Sequence, residues 1–507
     1  MKLFSRRPTR PTINSDAASF ESDSTRKSSI SGLKSPVKER LSNGSGPPMS
    51  PFIVPSLNLP VTKAPNPALD PAGYLRSIHA VRERCQLVLN RAYTGQLAHF
   101  DVDLSKFGET AMYVISIIKR DYGSDYASIP PHGRWQHFDV GGRPRIDHLL
   151  DSWPSAIDAS ERTRRLIDLF VVSVLLDAGA GAKWQYKSKQ SGRIYRRSEG
   201  LAVASLEMFS AGLFSSDGAQ PFQVDGAALR TLQVATLEKA LQVTAQNPIA
   251  GLEGRAGLLI RLGDALQNAK YFGEEQRPGM MIDYLMNHPT TRMTSVPIIP
   301  LPTMWNCLMD GLSPIWPESR TQVAGVSIGD AWPCRSMPSS PPAQAWETIV
   351  PFHKLTQWLT YSLMGPMTKL MKIRFFGADL LTGLPEYRNG GLLIDTGLLT
   401  LKPADAARGL TAYTANARKS GQPNVEVVPL FTADDDVIVE WRALTVAFLD
   451  ELLVEVNKGL GLEMGEGLSL AQMLEAGTWK GGRELAEVSR PNTKEPPIMT
   501  LSDGTIF

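Results

Sequence analysis

The sequence predicts a mainly α-helical fold, with one large globular helical body, a few short strands and a disordered N-terminal tail. Three observations lead to this fold class. Apolar residues recur at three- and four-residue spacing in many segments after residue 70, which is the helical period. Stretches typical of strands are few, and they do not alternate with helices as in an α/β fold. Residues 1–69 are rich in Ser, Pro, Lys and Arg and poor in aromatic residues, a composition that cannot bury enough surface to fold.

Seven helical segments are predicted within a single catalytic domain that covers residues 70–507. The first begins at Asp70-Pro71, since proline suits the first helical position. The predicted helices are 71–93, 160–178, 198–212, 225–245, 253–271, 344–364 and 437–459, and the predicted strands are 296–301, 392–395 and 425–431. A Pro-rich connection spans 289–343, and a segment of that length is expected to be functional or to lie against the body.

Charge and composition narrow the classes of partner. The net charge is +2, but residues 1–50 hold nine Lys/Arg against four Asp/Glu, so the body is slightly acidic. A slightly acidic body does not suit a nucleic-acid backbone as partner. No apolar run reaches the roughly 18 residues of a membrane span, and the N-terminus lacks the apolar region of a secretory signal. Three widely spaced cysteines without a CxxC motif suit a reducing compartment. We expect a cytoplasmic protein; the oligomeric state is left open.

Motifs for metals and organic cofactors are missing. The sequence contains no GxxxxGK[ST] and no HExxH. Gly179-Ala-Gly181 begins like a dinucleotide motif, but Trp184 stands where the third glycine belongs. The histidines of the loop-rich region, His132, His137 and His148, have no matching donors nearby in the sequence. Neither a metal nor an organic cofactor is expected.

The segment Leu176–Asp217 concentrates groups that bind ligands. A predicted helix ends on small residues and opens a loop, which leads into a helix capped by Ser198. Free N–H groups at that helix start, beside basic side chains, suit a phosphate, and aromatic rings suit a planar ligand. The structural alternative is a tight turn, an ordinary cap and two aromatic residues in the core. The candidates are Asp177, Lys183, Trp184, Tyr186, Arg196, Arg197, Ser198 and Glu199.

The segment 375–391 is the second one dense in functional groups. Pro385 indicates a helix start, which places Glu386 in the first turn, where the helix dipole favours an ionised carboxylate. A carboxylate of this kind can stabilise positive charge that develops on a sugar carbon. The structural alternative is ordinary charge at a helix end. The candidates are Asp379, Glu386, Tyr387, Arg388 and Asn389.

Both segments resemble one known family. The residues Leu175–Trp184 and Arg197–Ser205, the run Phe375–Gly391 and the closing Ser502–Thr505 are similar to the uracil catabolism protein four family, also called the uracil-regulated protein family. Its members are encoded in fungal and bacterial uracil-catabolism clusters. The resemblance covers about residues 70–507. It implies an enzyme that acts on ribosylurea or its phosphate and releases urea.

A weaker resemblance concerns the segment Asp379–Arg388, which is similar to the acid-Tyr-Arg segment of queuosine-phosphate salvage N-glycosidases. It implies a helical body like that of DNA glycosylases and cleavage of an N-glycosidic bond. This chain has Glu386 where that family usually has Asp, which leaves the catalytic carboxylate open between Glu386 and Asp379.

The two resemblances together imply an N-glycosidase. Glu386 would stabilise the sugar cation, with Asp379 as alternate or as base for the water. Asp177 or Glu199 would protonate the departing nitrogen. Trp184 and Tyr186 would pack against the urea or the ribose. Lys183, Arg196 or Arg197 would bind a phosphate. An amidohydrolase that attacks the urea carbonyl, or a non-catalytic sensor of a uracil metabolite, remain alternatives. We expect the two segments to wall one pocket, since this chemistry needs both sets of groups at one sugar.

Overall fold

The computed structural model describes residues 63–181, 183–291, 296–339, 344–420, 425–463, 465–501 and 504. Most of the predicted disordered tail, residues 1–62, lies outside the described residues. So do Ser502, Asp503 and Thr505 of the closing motif.

Helices form most of the described backbone, which confirms the mainly α fold class. They are α1 (Pro71–Arg76), α2 (Ile78–Tyr93), α3 (Phe107–Tyr122), α4 (Arg134–Phe138), α5 (Arg145–Ser152), α6 (Ala159–Leu175), α7 (Arg197–Ser210), α8 (Gly226–Arg230), α9 (Val234–Ala240), α10 (Leu252–Ala265), α11 (Ala269–Phe272), α12 (Met281–Asn287), α13 (Leu301–Gly311), α14 (Lys354–Met371), α15 (Tyr387–Asp395), α16 (Pro403–Ser420), α17 (Asp436–Leu460), α18 (Leu470–Met473) and α19 (Trp479–Ser489).

The strands are short and pair two by two. They are β1 (Phe100–Val102), β2 (Gln185–Lys187), β3 (Ile194–Arg196), β4 (Ile298–Pro300), β5 (Gln322–Val323), β6 (Val326–Ser327), β7 (Ala331–Pro333), β8 (Ile349–Pro351), β9 (Arg374–Phe376), β10 (Leu399–Leu401), β11 (Leu430–Thr432) and β12 (Met499–Leu501). The pairs β1–β10, β2–β3, β5–β6 and β7–β8 are antiparallel, and the pairs β4–β9 and β11–β12 are parallel.

The most apolar helices form the centre of the core. Every residue of Leu166–Leu175 in α6, of Gly200–Phe209 in α7 and of Val437–Leu449 in α17 is buried. A helix that is apolar on all sides is stable only when other elements surround it. The main core cluster accordingly runs from Ile78 to Ile498. No described helix is both long enough and apolar enough to cross a membrane.

Several predicted helix boundaries need correction. The segment 71–93 divides at Ser77, whose side chain accepts a hydrogen bond from Ala80 N and caps α2. The segments 225–245 and 253–271 each form two helices. The helix predicted from residue 344 begins only at Lys354, because Ala345–Thr348 form a short 3-10 helix and Ile349–Pro351 form β8 against β7.

The predicted strand at 392–395 is wrong, since these residues end α15. A short apolar run fits a buried helix as well as a strand, and here the helix packs against α17 and α19. The Pro-rich segment 289–343 is not an irregular connection, because it contains α13 and β4–β7. Pro302, for example, lies in the first turn of α13, where the helix needs no N–H.

Candidate functional site

A cavity of about 60 Å³ lies where five helices meet. The first turns of α7, α14 and α15 reach it, and α4 and α19 complete its walls. The N-terminal end of a helix carries partial positive charge, so three such ends make the potential in the cavity more positive. The charged side chains that line it are Asp177, Arg197, Glu199, Lys354, Glu386, Arg388 and Arg483.

Asp177, just beyond the C-terminal end of α6, forms the centre of a hydrogen-bond network. Its carboxylate accepts from Ser198 Oγ at 2.7 Å and pairs with Arg134 Nη1 at 2.8 Å. Trp358 Nε1 donates to the same carboxylate at 3.2 Å. Arg134 is completely buried, so its charge depends on this partner. Asp177 and Arg134 therefore form a buried ion pair.

His137 offers an unused polar group to the cavity. Its Nδ1 lies 3.2 Å from Arg134 Nη1 and 3.0 Å from Ser198 Oγ. Burial and the charge of Arg134 hold the pKa of His137 well below its usual range. Its Nε2 is buried and has no hydrogen-bond partner among the described residues. Such a group is normally satisfied, so a ligand is the natural partner.

Glu386 is the N-cap residue of α15, one position earlier than the first-turn location that the sequence indicates. Its Oε2 accepts from Arg388 N at 2.7 Å, and its Oε1 accepts from Asn389 N. Burial nevertheless raises the pKa of Glu386 to about 7, although these N–H groups, Lys354 and His132 oppose the shift. Glu386 therefore changes charge close to neutral pH, a typical property of a catalytic carboxylate.

Lys354 is the first residue of α14 and brings an ammonium group to the two carboxylates. His353 before it has a φ of 45°, in the left-handed region, and the backbone N of Lys354 donates to Asp330 Oδ2 at 3.0 Å. Burial lowers the pKa of Lys354, while Asp177 and Glu386 oppose this change. An ammonium group with a lowered pKa releases its proton more readily, which suits a general acid.

Aromatic rings form one wall of the cavity. The ring centroids of Trp358 and Trp479 each lie 5.4 Å from that of His137. His132 packs against Trp358 at 4.7 Å, and its Nδ1 lies 2.6 Å from Glu475 Oε2. These rings supply the flat apolar surface that a planar ligand needs.

A second cavity of about 140 Å³ adjoins the first, with Ala180, Arg197 and Tyr387 lining both. Arg197 has a φ of 53°, an uncommon conformation for a residue other than glycine. Its guanidinium donates to the carbonyl oxygens of Thr493 and Lys494, both at 3.1 Å. Arg197 and Tyr387 thus lie at the junction of the two cavities.

Close helix packing sets the shape of this site. A Cβ atom at Gly482 would lie 1.9 Å from the carbonyl oxygen of Arg388, so only glycine lets α19 approach α15 this closely. The contact brings Arg483 beside Glu199, and these two form an ion pair.

The two segments that the sequence singles out do wall one cavity, as expected. The structure brings together seven of the candidates: Asp177, Arg197, Ser198, Glu199, Glu386, Tyr387 and Arg388. The other six candidates do not line this cavity; they are Lys183, Trp184, Tyr186, Arg196, Asp379 and Asn389.

Trp184 and Tyr186 belong to the core, which is the structural alternative for these residues. Trp184 is completely buried and its Nε1 donates to the carbonyl oxygen of Leu241 at 3.0 Å. The hydroxyl of Tyr186 donates to Glu207 Oε2 at 2.9 Å. Neither ring lines the cavity. Ring surface comes instead from Trp358 and Trp479, on helices far away in the sequence.

The remaining expectations also change. Lys183 and Arg196 are exposed outside the cavity, and Arg196 donates to Gln185 Oε1 at 3.0 Å. Asp379 lines a different, largely apolar cavity, in which its backbone oxygen accepts from Arg82 at 3.0 Å. Asn389 is buried behind the site and supports the loop before α15 through Leu384 O.

Ser198 does not cap α7 as the sequence suggests, because the helix begins one residue earlier and its hydroxyl donates to Asp177 instead. Asp177 forms an ion pair with Arg134, and Glu199 forms one with Arg483. Sequence reasoning missed Lys354, Trp358, Trp479 and Arg483, along with the roles of His132 and His137. They carry no local motif, and only the packing of α4, α14 and α19 brings them to the cavity.

Comparison with known proteins agrees with the resemblance seen in the sequence. The chain is 45% identical to uracil catabolism protein 4 of Lachancea kluyveri over 445 residues, which cover 86% of this chain and 99% of the relative. It is 44% identical to protein urg3 of Schizosaccharomyces pombe over 434 residues, covering 85% of this chain and 98% of the relative. Residues 74–507 match the family described as protein of unknown function DUF1688. The chain, with both candidate segments, therefore belongs to this family.

Proposed function

We propose that this protein acts in uracil catabolism and hydrolyses the C1′–N bond of ribosylurea, or of its 5′-phosphate, to release urea. The names of the relatives support the pathway. The observation that carries the reaction type is Glu386, a buried carboxylate with a pKa of about 7 at the wall of an enclosed cavity.

Cleavage of a ribosyl C–N bond develops positive charge at C1′, which a carboxylate anion stabilises. Glu386 suits this role because two backbone N–H groups orient both of its oxygens. Asp177 is less suitable, since Arg134 already balances its charge. The proposed working form of Glu386 is therefore the anion.

The departing urea nitrogen takes the electron pair of the broken bond and needs a proton. Lys354 is the proposed donor, because its ammonium group has a lowered pKa and faces Glu386. A water molecule adds its oxygen to C1′ and gives a proton to Glu386, and proton exchange with solvent restores both groups. His137 Nε2 forms a hydrogen bond with the urea group, and Trp358 and Trp479 enclose this planar group.

The direct test is to incubate the purified protein with ribosylurea and with its 5′-phosphate and to measure reducing sugar, urea and ammonia. The proposal predicts equal amounts of sugar and urea without ammonia. Ammonia without urea would instead indicate attack on the urea carbonyl. Binding without turnover of either compound would support a sensor and refute the enzyme.

A further inference from the structure

Two arginines share one acceptor beside the proposed reaction site. Arg197 Nη1 and Arg388 Nη1 both donate to the carbonyl oxygen of Lys494, each at 3.1 Å. Neither guanidinium forms an ion pair with a carboxylate of the described residues, whereas Arg134 and Arg483 at the same cavity each do. Two like charges that converge on one oxygen repel each other, and an anion between them would turn this repulsion into attraction.

The charges that line the first cavity do not balance. The ion pairs Arg134–Asp177 and Arg483–Glu199 account for two of its carboxylates. Three cationic side chains, Arg197, Lys354 and Arg388, then face a single carboxylate, Glu386. With Arg134 counted beside the lining residues, five cations stand against three carboxylates. This positive excess of two charges is what a phosphate monoester neutralises near neutral pH.

Burial makes this excess significant. Arg388 is only 3% exposed, so water provides little compensation for its charge. Its guanidinium lies 5.1 Å from the ring centroid of Tyr387, which borders both cavities. Guanidinium groups bind phosphate oxygens by directed, charge-assisted hydrogen bonds. Arg197 and Arg388 are thus arranged as two arms of an oxyanion site.

Glu495 is the carboxylate nearby that could compete with a bound anion. It lines the second cavity, and burial raises its pKa, although Arg197 and Arg490 oppose the shift. Arg490 in turn pairs with Asp395 at 2.6 Å. The raised pKa favours the neutral form of Glu495 and so reduces its repulsion of a phosphate.

We propose that Arg197 and Arg388 bind the 5′-phosphate of the substrate, so that the true substrate is the phosphorylated ribosylurea. This inference rests on the proposed function. Glu386 and Arg388 both line the first cavity, so the C1′ atom and the phosphate of one ribose can contact them together. The pair replaces the phosphate site expected from the sequence, because Arg196 and Lys183 lie outside the cavity.

Two variants and one control test the site. Arg197→Gln and Arg388→Lys each weaken one arm, and Arg193→Gln removes an exposed arginine that lines neither cavity. Steady-state kinetics with ribosylurea and its 5′-phosphate give the preference for the phosphate in each protein. Loss of one charge-assisted hydrogen bond should raise the KM for the phosphorylated compound roughly 10- to 100-fold. The KM for ribosylurea should rise much less in these two variants, and both sets of constants should be those of the wild type in Arg193→Gln.

Titration with inorganic phosphate, followed by calorimetry, provides a readout that does not depend on turnover. The wild type and Arg193→Gln should bind phosphate, and both site variants should bind it at least tenfold more weakly. Equal phosphate binding by all four proteins would overturn the phosphate site. So would equal loss on both substrates, which would indicate a structural role. If neither compound is hydrolysed but phosphate binding follows the expected order, the proposed function fails while the anion site stands.

Discussion

Glu386→Gln is the most informative single substitution, because it keeps the shape of the side chain while removing its charge. In the proposed reaction, the anion stabilises the charge at C1′. Removal of one preorganised electrostatic group of this kind costs a factor of roughly 10² to 10³ in kcat, or about 3–4 kcal/mol. We expect kcat to fall by at least this factor and the KM to change little, since the neutral side chain still fits.

The same substitution has a calculable effect on stability. Burial raises the pKa of Glu386 from 4.5 to about 7, so the folded protein holds this proton more tightly than the unfolded chain. Its stabilising effect is complete below pH 4.5 and is lost as the pH rises through 7. The loss at pH 8 amounts to about 3 kcal/mol. Glutamine does not ionise and avoids this loss, but it replaces a capping carboxylate, which costs about 1 kcal/mol.

The variant should therefore be somewhat less stable than the wild type at pH 4.5 and at least as stable at pH 8. Urea denaturation at both pH values measures this change of sign. Asp158→Asn is the matched control, since it changes an exposed N-cap carboxylate on α6 in the same way. The control should lose about 1 kcal/mol or less at both pH values and keep full activity.

The pH profile completes the test. Because the anion is the working form, kcat/KM of the wild type should rise with pH through about 7. Near-normal turnover of Glu386→Gln would refute the catalytic role of this residue. Equal destabilisation at pH 4.5 and pH 8 would show that the reasoning about its burial is wrong.

Three further predictions follow from the structure. Trp184→Phe should lower the free energy of unfolding by about 1–3 kcal/mol in urea denaturation, through the lost bond to Leu241, and should leave the kinetic constants unchanged. Asp379→Asn should leave turnover unchanged in the urea-release assay, because this residue lines another cavity. His99→Gln should destabilise the protein at pH 6 but not above about pH 9. Burial opposes protonation of His99, yet hydrogen bonds to Asp436 and Asp405 raise its pKa to about 9. The stabilising effect of the protonated side chain therefore disappears as the pH rises from 6.5 through about 9. Denaturation across this pH range measures the difference.

The local pattern of apolar residues was sufficient to predict the helices that are buried on most sides. The helices predicted at 160–178, 198–212 and 437–459 agree with α6, α7 and α17 within three residues at each end. Their periodic or continuous apolar residues leave little choice of structure. The pattern failed at 392–395 and 289–343, where packing partners, rather than local preference, decide between helix, strand and loop.

The candidate site shows the same division. Sequence reasoning identified Asp177, Arg197, Glu386 and Arg388, because they stand in dense segments at helix ends. It misplaced Trp184 and Asp379, since spacing along the chain cannot tell a ring or carboxylate that faces the cavity from one that faces elsewhere.

Long-range packing also determined what these groups can do. Two helices that begin more than 150 residues after Arg197 bring four side chains to the cavity. Helix α14 contributes Lys354 and Trp358, and α19 contributes Trp479 and Arg483. The raised pKa of Glu386 arises from burial by these surroundings and not from its neighbours in the chain. The sequence by itself thus determined the helical fold class, the family and the two segments that matter. Only the tertiary structure decided which side chains share one enclosed volume, because desolvation and charge pairing depend on distance in space.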